Sequence, residues 1–291
     1  MADVLSDYLT EVRRLLHDAN GNFWSDTDLY DYINLGRNHV VTDTGCLRQY
    51  QTSWVQAGTE FYTFGGVWQI TVNSGGSGFT SAPTVVITPA TDDSGINATA
   101  TSTISNGAVT GITVVTQGML YNSVPSISFS GGGGSGATAT AYLLTANTVD
   151  LINPMIIWGS QRIPLQGKAF TDLNAAARVW TSYKQRPGLW SMYGTNQICV
   201  APIPDQAYQF EADTVILPPS LSGETTGNLV APATEAVPYW AAYLAKLNEK
   251  QYEEASAFKN LYSQQIQWAV NIFTIRAQGV YGDNANFDTF N

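Results

Sequence analysis

The chain has 291 residues, of which 44 % are hydrophobic and only 12 % charged, and 13 Lys+Arg against 23 Asp+Glu give a formal net charge of −10. The charged share is roughly half the globular average, so the surface must be rich in Ser, Thr, Asn, Gln and Gly. With no basic cluster beyond Lys184 and Arg186, a phosphate-gripping surface is not expected.

The N-terminal run MADVLSDYLTEV has neither a basic n-region nor an apolar h-region, so no signal peptide is expected. No apolar run approaches the ~20 residues that span a bilayer, and folding in a reducing cytoplasm is expected. Leu5, Tyr8, Leu9, Val12, Leu15 and Leu16 recur at helical spacing, and Asp18-Ala19-Asn20-Gly21-Asn22 ends that helix. Ser25 then caps a second helix, with Asp28 three residues on as in a capping box. Leu29, Ile33, Gly36 and Val40 line one of its faces, and Gly36 predicts a tight helix–helix contact.

Residues 61–149 contain only two charged residues, Asp92 and Asp93. This stretch is a repeat. Val67–Val72 matches Val109–Val114 and Phe79–Val85 matches Tyr121–Ile127, both 42 residues apart; Ala98–Thr101 matches Ala137–Thr140, 39 apart. Each copy reads as three short strands between Gly-rich turns, and six strands predict a small sandwich or paired-sheet module with a thin core. The change of composition marks an insertion into a host domain.

After the repeat, Val149 to Leu165 is strand-like. A helix is expected over Asp172–Lys184 with Leu173, Ala176, Val179, Trp180 and Tyr183 facing inward. Strands follow near 189–193, 197–201 and 208–217, with a hairpin turn at Gly194-Thr195-Asn196. Two helices close the pattern. The first uses Trp240, Tyr243, Leu244 and Leu247; the second, from about Gln251 to Gln278, uses Phe258, Tyr262, Ile266, Ala269 and Phe273. Residues 279–291 form an acidic, aromatic tail. The fold class expected is α+β: a helical host domain over 1–60 and 150–278, a helix bundle with a small β-sheet, plus an inserted all-β sandwich-like module at 61–149 built from two repeats.

The residues offer little chemistry. His17 and His39 have no paired ligand pattern, and Cys46 and Cys199 are read as reduced, buried thiols without metal spacing. The Gly131–Gly136 run lacks the Lys-Ser/Thr of a phosphate loop and leads into a strand. Glu11, Asp26, Asp28, Glu60 and Glu211 are the plain candidates for a carboxylate pair, each with a simpler role as cap or solvated charge. No catalytic, metal or cofactor site is assigned, and no enzyme activity is expected. Trp68, Phe79, Tyr121 and Phe129 leave one alternative open, sugar stacking on the module, against the simpler reading that they fill its core. A cell-wall hydrolase is the second alternative.

Tyr8–Asp18, followed by Phe23-Trp24-Ser25-Asp26 and the run to Tyr32-Ile33-Asn34, resembles the opening of phage head-to-tail adaptor (connector) proteins of short-tailed phages. Ala236–Trp240 through Glu253–Tyr262 is similar to the last helices of that family, and the repeat looks like Gly-rich β-repeats of phage structural proteins. The resemblance implies a virion protein at the head–tail junction. It would form a ring, typically of twelve copies, beneath the portal protein, carry a tail nozzle or tube protein, and extend a channel through which DNA passes without specific binding. It implies a C-terminal docking arm at 279–291 that binds the portal, with Tyr281, Phe287 and Phe290 as its anchors. Leu29, Ile33, Gly36, Phe258, Tyr262 and Phe273 would pack subunits together. The family's adaptor usually lacks an insert at 61–149, which is expected to touch capsid or fibres. No membrane contact is expected.

Overall fold

The computed structural model describes residues 2–90, 95–176, 183–223 and 225–278. The chain divides into two compact units, one of Met1–Arg48 with Val215–Asn291, the other of Gln49–Thr214.

The first unit holds helices α1 (Leu5–Leu15), α2 (Asp26–Thr44), α4 (Ala233–Asn248) and α5 (Tyr252–Gln278). Ser25 caps α2 as its sequence predicts: its hydroxyl oxygen accepts from the Asp28 amide at 3.1 Å and donates to the Asp28 carboxylate at 2.6 Å. The helix stops at Gly45, whose left-handed φ of 58° lets its amide return to the Val41 carbonyl. Helix α4 is the central one. Its buried residues are small, Ala233, Ala236, Val237, Ala241, Ala242 and Ala245, so α1, α2 and α5 all pack against it. The bulky Trp240, Tyr243, Leu244 and Leu247, expected to face inward, are only half-buried. An alanine face lets helix axes come close, and the large side chains then fill the flanking grooves. Gly36 on α2 sits at such an approach: a Cβ there would lie 3.1 Å from the Val237 carbonyl oxygen and 3.4 Å from Trp240.

The second unit holds two four-stranded sheets. One runs in the order β1 (Arg48–Val55), β14 (Tyr208–Ile216), β9 (Thr148–Trp158), β10 (Gln161–Pro164); the other β11 (Gln166–Gly167), β12 (Leu189–Tyr193), β13 (Gln197–Ala201), β2 (Phe61–Thr63). Both contribute to one apolar core with Val55, Tyr62, Trp68, Ile156, Ile198, Val200 and Phe210. A buried amide fastens the first sheet. Gln51 donates to the hydroxyls of Thr148 (3.1 Å) and Thr214 (2.8 Å) and accepts from the Thr145 amide (2.9 Å). Helix α3 (Phe170–Ala176) lies beside β12. Of the inward face expected for it, Leu173 is buried and Tyr183, beyond the helix, is exposed; Val179 and Trp180 lie outside the described residues.

The same unit contains the repeat as strands β3 (Gln69–Ser77), β4 (Thr84–Thr88), β5 (Thr99–Ser105), β6 (Ala108–Thr116), β7 (Ser126–Ser130) and β8 (Ser135–Tyr142). The two copies exchange strands. The first strand of copy one, β3, pairs with the third of copy two, β8; β6 pairs with β5; and the middle strands β4 and β7 pair with each other. The registers obey a local two-fold. Val72 faces Ala139 and its counterpart Val114 faces Ala100; at the centre Val86 faces Ser128, the residue 42 positions on. Bulges fall at equivalent places, beside Asn73 in β3 and Val115 in β6. Further neighbours β3–β6, β4–β5 and β7–β8 close the six strands into a circuit around Ile70, Val85, Ile87, Ala98, Tyr121 and Leu143.

The expected fold class is therefore corrected. Among the described residues there are fourteen strands and five helices, and two four-stranded sheets stand where a helix bundle with a small sheet was expected. The repeat is three two-stranded ribbons around one core, not a sandwich of two sheets. The host strands were underestimated because their partners are remote in sequence: β1 pairs with β14 and β2 with β13, each across more than a hundred residues.

Candidate functional site

The helical unit carries most of the residues singled out by the sequence, and a buried ion pair organises it. Arg37 on α2 donates from Nε to Asp3 Oδ1 and from Nη2 to Asp3 Oδ2, both at 2.9 Å, and each side chain is 1 % exposed. The remaining polar capacity is used as well. Arg37 Nη1 donates to the Pro219 carbonyl at 2.7 Å, Tyr8 OH to Asp3 at 2.8 Å, and the Leu229 amide to Asp3 at 2.8 Å. Burial, then the Asp3 carboxylate, hold the Tyr8 hydroxyl well above the ordinary tyrosine range. The knot joins the N-terminal segment, α1, α2 and the loop before α4. Sequence reasoning missed it, because a lone Asp and a lone Arg 34 residues apart give no local signal.

Among the described side chains of α5, Ala255, Tyr262 and Ala269 are buried, one per heptad, with Phe258, Ile266 and Phe273 half-buried beside them. Tyr262 OH donates to Asp43 at 2.6 Å, and its ring packs on Trp240, which in turn stacks on His39 with centroids 4.1 Å apart. At the turn into α5, Lys246 bridges Glu249 and Glu254 at 3.0 Å each, and Glu249 accepts from Trp24 Nε1 at 3.1 Å. Of the residues expected to pack subunits together, Leu29, Ile33, Gly36 and Tyr262 are buried within the chain itself, while Phe258 and Phe273 are half-buried. A flank of α5 that the sequence reading did not single out, with Leu261 and Trp268 seven residues apart, stays open at 41 % and 48 % exposure. The portal-binding anchors Tyr281, Phe287 and Phe290 lie outside the described residues.

The remaining candidates are dispersed. Glu11 pairs with Arg14 on its own helix, Asp26 with Arg13, and Asp28 with the Ser25 cap. Glu211 accepts from Tyr50 and from Arg162 at 2.9 Å; those hydrogen bonds, that of Tyr50 first, hold its carboxyl below the usual range. Glu60 is pushed the other way by burial. Burial also lifts the Cys199 thiol to about 12, while Cys46 is half-buried. Among the described residues no three His, Cys, Asp or Glu side chains lie together as metal ligands, and no helix is long and apolar enough to cross a membrane. In the repeat Trp68, Phe79 and Tyr121 are at most 5 % exposed and Phe129 packs against the core. Trp68, Phe79 and Tyr121 therefore offer no open ring face on which a sugar would stack, while Phe129 is half-buried. The Gly131–Gly136 run is a turn at Gly132–Gly133 that leads into β8, with Gly132 and Gly134 closed against Phe79.

The model of the SU10 adaptor protein matches residues 106–277, more than half of the chain. The chain belongs to that family, one of phage adaptor-type structural proteins. The match begins inside the repeat, at the turn between β5 and β6, and runs to the end of α5. A search of curated proteins gave no match.

Proposed function

We propose that the chain is a head-to-tail adaptor that forms a ring beneath the portal of a phage particle, extends the DNA channel and gives the tail its attachment platform. The family match over residues 106–277 carries this reading. The long helix α5, ~40 Å at 1.5 Å per residue, leads into the aromatic segment Gly279–Asn291, which serves as the portal-docking arm through Tyr281, Phe287 and Phe290. The net charge of −10 suits a lumen that repels DNA and lets it slide. Contacts between copies fall to the partly open members of the expected set, Phe258 and Phe273, and to Leu261 and Trp268 beside them. A nozzle or tube protein takes the tail-facing side.

The test is assembly on purified portal rings, read by electron microscopy. The full chain should add a ring to the portal, and deletion of residues 279–291 should weaken it at least tenfold. A chain that never assembles on portal rings, with or without residues 279–291, would overturn the reading.

A further inference from the structure

Outside the repeat, an open indole borders a polar cleft. Trp158, the last residue of β9, is 50 % exposed. With Gln185, Arg186, Asp205, Gln206 and Tyr208 it lines a cleft of about 340 Å³, a volume within the range of small-molecule sites. All six residues belong to the second unit, on strands and loops of the two four-stranded sheets.

The cleft is held in shape before anything enters it. The Gln185 amide donates to the Ile203 carbonyl at 2.9 Å and the Gly188 amide to Ala201 O at 3.0 Å, which fixes one wall along the segment after β13. Tyr208 forms the floor and is 4 % exposed. Its hydroxyl donates to Asp205 Oδ1 at 2.7 Å and is bonded by the Gln206 side chain as well. A buried hydroxyl thus positions two exposed polar side chains. The Arg186 guanidinium lies over the Trp158 ring, 4.7 Å from its centroid, and the stack orients both groups. Among the described residues the N–H groups of Arg186, the Gln185 side-chain amide and Asp205 Oδ2 have no hydrogen-bond or ion-pair partner.

The chemistry of these groups narrows the ligand. Arg186 donates, Asp205 accepts, and the two glutamine amides do both. A phosphate or carboxylate only accepts and would meet the Asp205 carboxylate. A cation would meet Arg186. A neutral polyol gives and takes hydrogen bonds from neighbouring hydroxyls, and the flat C–H face of a pyranose ring packs on the open part of an indole. We infer that this cleft binds one pyranose unit of a neutral saccharide. Trp158 supplies the stacking surface, Arg186 and Gln185 donate to ring hydroxyl oxygens, and Asp205 accepts from a hydroxyl. A single small ring held this way binds with a Kd on the order of millimolar. The site is complete within one chain and needs neither the portal nor a neighbouring copy.

The experiment is saturation-transfer difference NMR on the full-length chain, titrated with the methyl glycosides of glucose, galactose, mannose and N-acetylglucosamine and, separately, with inorganic phosphate. At least one glycoside should receive saturation at its ring C–H protons. Trp158→Ala should abolish that signal. Gln185→Ala changes an exposed side chain without a partner, so it should keep the thermal midpoint of the wild type and weaken binding at least threefold. The control Trp268→Ala removes an indole of similar exposure, 48 %, on α5 and should leave binding unchanged. Silence from every glycoside, with or without binding of phosphate, would overturn the inference. So would binding that survives both Trp158→Ala and Gln185→Ala, or an equal loss in the Trp268→Ala control. Portal mixing, run separately, reads the adaptor function independently of this site.

Discussion

In the helical unit, a buried aspartate and arginine bind an N-terminal segment, a helix and a distant loop into one knot. In the β-repeat the described core residues are apolar, and cohesion comes from Val, Ile and Ala held in register by strand exchange. The first arrangement is all-or-none: each group of the knot satisfies another, and removing one strands the rest. The second is graded and duplicated, because the two-fold gives almost every contact a counterpart.

The largest effect should follow from breaking the knot. Arg37→Leu leaves Asp3 charged, buried and without its partner, at a cost of about 3–5 kcal/mol. Adding Asp3→Leu should recover part of that loss. Denaturant melts of the single and double variants read both values, and a single variant as stable as wild type would remove the knot from the account. Next comes the helix crossing. Gly36→Val places two methyl groups where a single Cβ is already 3.1 Å from the Val237 carbonyl oxygen, and overpacking of this kind costs about 1–3 kcal/mol.

In the repeat, the related substitutions Val72→Ala and Val114→Ala should cost about 1 kcal/mol each, and the same within about 0.5 kcal/mol. A wide gap between them would show that the two-fold is geometric but not energetic. Tyr121→Phe removes the hydroxyl that accepts the Ala98 amide at 2.8 Å, a loss of about 1 kcal/mol, whereas the counterpart of Tyr121 is already Phe79 and makes no such bond.

The smallest effect is a pH dependence in the sheet of β1, β14, β9 and β10. Hydrogen bonds from Tyr50 and Arg162 hold the Glu211 carboxyl below its usual range. A group with a depressed folded pKa stabilises above its unfolded value and loses that stabilisation as pH falls through the folded value. Melting in mild acid should therefore decline in wild type and flatten in Glu211→Gln. An equal decline in the variant would assign the effect to other carboxylates.

Much of the architecture was legible in local pattern. The Ser25 cap that starts α2, the close approach at Gly36, the extent of α5, the hairpin at Gly194–Asn196 and the 42-residue repeat all rest on neighbours in sequence. The site was less legible. Leu29, Ile33 and Tyr262 carry the apolar periodicity of a packing face, but periodicity does not say whether the neighbour belongs to the same chain, and here it does. Likewise Trp68 and Tyr121 were open to a sugar-stacking reading until burial placed them in the core.

By itself the sequence determined the helices, the repeat and the scarcity of charge, because each is set by residues a few positions apart or by composition. Only the tertiary structure decided that β1 pairs with β14, that Asp3 neutralises Arg37, and that the halves of the repeat exchange strands. Those contacts link residues tens to hundreds of positions apart, where chain entropy leaves no local trace.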